Sequence, residues 1–117
     1  MNILLWILQG LLGAMFITAG IMKSTQPKEK LARLNWTARY SPGMIKFIGV
    51  SELLAGLGLI LPWATGFAVI LTPVAAGALA LIMIMAALDH LKNDEKKEVM
   101  VNVIIFVLAV IVAFGRF

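Results

Sequence analysis

The sequence predicts an all-α integral membrane protein: a four-helix bundle with a short interfacial helix between helices one and two. Three observations predict it. Of 117 residues, 62% are hydrophobic and only 14% charged, whereas soluble domains carry about 25% charged residues. Long uncharged runs alternate with short polar stretches, and each run has the length of a bilayer crossing or a multiple of it. The chain is also short enough to form a single domain, residues 1–117.

Residues 1–22 carry no charge, and a helix over 3–22 rises about 30 Å, the thickness of the hydrocarbon core. A cleaved signal peptide would place basic residues before a shorter apolar core. Nothing basic precedes Lys23, so the segment reads as helix one.

Between Lys23 and Pro42 the composition turns polar, with Lys23, Lys28, Lys30, Arg33 and Arg39 among Ser24, Thr25, Gln26 and Pro27. Leu31, Leu34 and Ala38 recur at three- and four-residue steps, and Trp36 and Tyr40 suit the headgroup level. This spacing predicts the interfacial helix over about 28–38.

After Glu52, residues 53–88 are uncharged. As one helix they would extend about 54 Å, too long for one crossing, so the run must fold back. Pro62 and Gly66 supply the expected break, giving helix two at about 42–61 and helix three at about 65–88, the latter kinked at Pro73. The polar stretch 89–98 is expected as a loop, and helix four spans about 99–114.

Ten Lys and Arg face six Asp and Glu, a net charge of +4. Four crossings put every basic residue except Arg116 at one end, so the positive-inside tendency makes loops 23–42 and 89–98 cytoplasmic and both termini external. No nucleic-acid signature is present. With no cysteine and a single histidine, the chain carries neither thiolate chemistry nor a multi-imidazole metal site of its own, and no cofactor motif is visible.

Glu52 is the most informative position. About ten residues into helix two, it lies about 15 Å from the interface. An isolated carboxylate at that depth takes a proton unless a lysine or water lies near. Gly49 and Gly56 share its face, where small residues admit a second helix or a flat ligand. Gly58, about 160° around the wheel from Gly56, is expected off that face.

On helix one, Gln9, Gly13, Phe16, Gly20 and Lys23 form a continuous stripe ending in a cation that is either a snorkelling anchor or a cation facing the Glu52 cavity. On helix three the stripe Ala76, Ala80, Met83 and Ala87 leads to His90 at the mouth. Asn102 opens helix four. The ligand- or proton-binding candidates are therefore Glu52, Lys23, His90, Asn102 and Gln9, with Gly13, Gly20, Gly49 and Gly56 as packing positions. No nucleophile–base pair, metal cluster or phosphate loop accompanies them, so no reaction is assigned.

Two segments carry a family resemblance: Phe16-x-x-Ala19-Gly20-x-x-Lys23, and Gly49-x-x-Glu52-Leu53-x-Ala55-Gly56-Leu57-Gly58-Leu59-x-Leu61-Pro62. With them the chain resembles the DoxX-like family of small four-helix membrane proteins. The resemblance implies a prokaryotic cytoplasmic membrane, with Lys23 and Glu52 as characteristic positions. It also implies an association, in places, with quinone-linked sulfur oxidation and oxidative-stress membrane complexes. The expected role is a non-catalytic subunit or a binding module for a small hydrophobic ligand. The alternatives are a quinone-binding component of an oxidoreductase and an oligomeric carrier for a lipid-like solute. Quinone or lipid is the expected ligand, and the bilayer, a membrane-protein partner or a second copy the expected neighbours.

Overall fold

The structure, a computed structural model, describes residues 2–27 and 39–117. The expected interfacial helix at 28–38 lies outside the described residues. Among the described residues four helices follow in order: α1 (Asn2–Thr25), α2 (Pro42–Thr65), α3 (Leu71–Lys92) and α4 (Lys96–Arg116). All four are long and apolar enough to cross a membrane. They pack up-down-up-down, with α1 lying most extensively on α2 and α3 on α4, and with lesser contacts between α2 and α3 and between α1 and α4.

Helices one, two and four are longer than the sequence indicates, while helix three starts at Leu71 rather than 65 and runs on to Lys92. At the end of α1, Ser24 and Thr25 donate their hydroxyls to the carbonyls of Gly20 and Ile21 at 2.6 Å, which keeps the last turn helical. The expected loop 89–98 shrinks to Asn93, Asp94 and Glu95. His90 and Lys92 close α3 and Glu98 sits in the first turn of α4, charges that suit those ends of the helix dipole.

Pro62 does not break helix two. The helix runs through it to Thr65 and ends at Gly66, whose φ of 75° is left-handed and whose N–H donates to Pro62 O. A proline leaves the carbonyl four residues earlier without its helical donor. Here that carbonyl belongs to Gly58, and the Thr72 hydroxyl of α3 donates to it at 3.0 Å. One residue on, Gln9 of α1 donates its Nε2 to Leu59 O at 2.7 Å. A neighbouring helix thus takes up the carbonyl that the proline frees, the condition under which membrane helices tolerate proline. Ser41 caps the other end of α2, accepting from Met44 N, with Pro42 opening the first turn.

Pro73, expected as a kink inside helix three, instead occupies its first turn, because α3 starts only at Leu71. A backbone N–H there has no partner within the helix, so its absence costs nothing. The turn before it needs Ala68 at φ 53°.

The core is a seam of Leu12, Leu59, Ala76, Leu79, Ala109 and Val112 along the bundle axis. Large apolar side chains such as Ile3, Phe47, Leu54, Met85, Met100 and Ile104 point outward and stay exposed, as a lipid-facing surface requires. Since lipid is as apolar as leucine, close packing by small residues holds such helices together. A Cβ on Gly20 would stand 2.5 Å from Leu53 N, and one on Gly49 would stand 2.6 Å from Ser24 N. Gly56 approaches Gly13 O at 2.9 Å by the same measure. Gly58 is not the free position that its angle on the wheel indicates: a Cβ there would meet Ala75 Cβ at 2.7 Å, because α3 covers that side.

Candidate functional site

In the middle of α2, Glu52 is 3% exposed. Lys23, in the last turn of α1, reaches it with Nζ 2.7 Å from Oε1. The glycines make this geometry possible, since the backbone of α1 at Lys23 and Ser24 lies directly against Gly49, one turn before Glu52. The carboxyl is therefore not isolated. The pair has the distance of a charge-assisted hydrogen bond.

The two side chains form part of the wall of a cavity of about 430 Å³, which His90 and Asn102 also line. Four of the five polar positions singled out in the sequence thus meet around one space. Asn102 lies on α4, and its Nδ2 is buried with no hydrogen-bond partner among the described residues. Most of the remaining wall is apolar: Met44, Phe47 and Ile48 from α2, and Ile82, Met83 and Met85 from α3.

One end of the cavity is bordered by Tyr40, Asp89 and His90, residues tied into an ionic cluster. Arg39 Nη2 lies 2.6 Å from Asp89 Oδ2 and 2.9 Å from Glu95 Oε1, bridging the start of α2 to the α3–α4 turn. His90 Nδ1 lies 2.8 Å from the same Glu95 oxygen. The hydrogen bonds to His90 and to Arg39 hold the Glu95 carboxyl below the usual range. Those from Arg39 to Asp89 and Glu95 push its guanidinium higher. Burial, with the hydrogen bond to Asp89, raises the Tyr40 phenol. Sequence reading treated 89–98 as a solvated loop of mixed charge and missed this cluster. Its partners are 50 and 56 residues apart, a separation no local pattern reports.

Gln9 does not join the cavity. It is fully buried near the other end of the bundle, donating to Leu59 O and accepting from Arg116 Nε at 2.6 Å. Arg116, the one basic residue at this end among the described residues, is buried as well. Its Nη1 donates to Asn2 Oδ1 at 2.7 Å, and its guanidinium lies 4.4 Å from the Trp63 ring and 5.7 Å from Trp6, within cation–π range. The one signal available was two tryptophans and an arginine placed by topology at the same depth.

Four membrane-spanning helices, close-packed through glycine and enclosing a lysine–glutamate pair at a cavity, define a small polytopic membrane protein with a polar intramembrane centre. The chain belongs to the DoxX-like family, whose sequence profile matches residues 7–112. No curated protein and no solved structure matches it.

Proposed function

We propose that this protein is a non-catalytic binding module, or the binding subunit of a larger complex, in a prokaryotic cytoplasmic membrane. It holds a small hydrophobic molecule against the polar centre formed by Glu52 and Lys23. The basic end faces the cytoplasm and both termini lie outside, the orientation favoured by the distribution of Lys and Arg. The observation that carries the reading is the convergence of Lys23, Glu52, His90 and Asn102 on one cavity with a largely apolar wall. An apolar pocket with a few convergent polar groups is the usual form of a small-molecule site.

A second reading is a quinone-binding component of a membrane oxidoreductase. One observation favours it: the Asn102 amide, a donor that suits a carbonyl oxygen, lines the same cavity as the Glu52 carboxyl. A carrier would require several copies to enclose a pathway.

The test is native mass spectrometry of the protein after gentle extraction. A co-purifying lipid or quinone that is lost from Glu52→Leu supports the binding module, and a quinone mass selects the second reading. Bare protein from both the wild type and the variant counts against either.

A further inference from the structure

Helices α2 and α3 are pinned together at one end, and toward the other both line the cavity. Near their connecting turn, Gly58 meets Ala75 and Thr72 bonds to the Gly58 carbonyl. Towards the ionic cluster, Phe47 and Ile48 on α2 and Ile82 and Met85 on α3 line the cavity. The rim of this cleft faces outward: Phe47 is 67% exposed and Met85 63%, at a level where a membrane protein meets lipid. The end of the same cavity toward the α3–α4 turn is laced by Arg39, Asp89, Glu95 and His90. The space is thus bounded by ionic ties at one end and by exposed apolar side chains on its flank.

The polar wall narrows the chemistry of an occupant. Lys23 and Glu52 neutralise one another at 2.7 Å, so the wall there offers no net charge to an ion. Asn102 Nδ2 is a buried donor without an acceptor, an arrangement that costs stability until an acceptor arrives. We infer that the occupant is an uncharged, membrane-soluble molecule with a carbonyl-type acceptor. It enters sideways from the bilayer between α2 and α3 and presents that acceptor to Asn102 Nδ2. This inference rests on the binding-module reading and adds the route and the ligand class to it.

The test uses the full chain in vesicles of phosphatidylethanolamine and phosphatidylglycerol with two photoreactive ketones. One is benzophenone bearing an octyl tail; the other is benzophenone bearing a trimethylammonium group. After irradiation, labelled residues are located by mass spectrometry. The octyl ketone should label the cavity walls around Phe47, Met83 and Met85, and the charged ketone should not. Asn102→Leu should lower cavity labelling by about two- to tenfold, the loss of one neutral hydrogen bond, with a melting temperature unchanged or raised. Where Asn102→Leu does not fold, Asn102→Asp replaces the donor with an acceptor of the same shape and should lower labelling likewise. Labelling unaffected by a folded Asn102 variant overturns the acceptor assignment. Equal cavity labelling by both ketones overturns the lateral route while leaving the binding module standing. Labels confined to the lipid-facing surface, with none in the cavity, overturn the binding module itself. Covalent dimers formed on irradiation of a Phe47→p-benzoylphenylalanine variant would assign the open flank to a second copy and overturn the inference.

Discussion

Lys23 and Glu52 join the end of α1 to the middle of α2 across 2.7 Å, with side chains 12% and 4% exposed. Breaking a buried pair strands the surviving charge, at a cost of about 3–5 kcal/mol. Glu52→Leu and Lys23→Met should each destabilise the bundle by an amount of that order. Glu52→Gln, which keeps an acceptor oxygen, should cost less. The double variant should cost clearly less than the two single changes summed, because no charge is left alone. Denaturant unfolding in detergent micelles measures the cycle, and strict additivity would show that the pair is not coupled.

The α1–α2 seam should be intolerant of a single methyl group. Gly20→Ala and Gly49→Ala would place Cβ at 2.5 and 2.6 Å from backbone atoms of the opposing helix, contacts no side-chain rotation can relieve. Overpacking of this kind costs about 1–3 kcal/mol or more. Gly10→Ala, with open space around it, should be neutral or slightly stabilising as a helix former. Melting temperatures of the three variants decide the matter; equal values would mean the helices separate freely there.

Thr72 is fully buried, and its hydroxyl matters because Pro62 leaves the Gly58 carbonyl free. Thr72→Val should cost about 1–3 kcal/mol, the penalty of an unsatisfied buried group. In a Pro62→Ala background, residue 62 can supply its own N–H to that carbonyl, so the same substitution should cost measurably less. An identical cost in both backgrounds would disconnect the threonine from the proline.

The ionic cluster should weaken in acid. The Glu95 carboxyl is held below its usual range by His90 and then Arg39. Its contribution is therefore complete above the unfolded-state value, about pH 4.3, and is lost as pH falls through the lower folded-state value. The melting-temperature difference between wild type and Glu95→Gln should be constant near neutrality and shrink below about pH 4. A difference that widens in acid would reverse the sign and refute the assignment.

The proposed orientation makes a separate demand. A reporter fused after Phe117 should behave as external, and one inserted at 93–95 as cytoplasmic. The opposite pattern would place the basic end outside and change the side on which the ionic cluster meets water.

Hydropathy and charge by themselves determined the number of crossings, the all-helical class and the separation of a basic end from a nearly uncharged one. These depend on segment length against bilayer thickness, a property of the chain read locally. Glycine and polar residues at three- and four-residue steps also marked the faces that pack and the positions of Lys23, Glu52, His90 and Asn102. Tertiary structure decided the rest. Whether Pro62 ends a helix depended on Thr72 from another helix reaching the freed carbonyl, and Pro73 became harmless only because α3 began two residues earlier. The approach of Lys23 to Glu52 required two backbones to touch at Gly20 and Gly49. Gln9 stands at the opposite end by its place in α1, but its partners there, Leu59 and Arg116, are 50 and 107 residues away. Periodicity states which face a residue occupies; which partner lies opposite depends on the three-dimensional packing of all four helices.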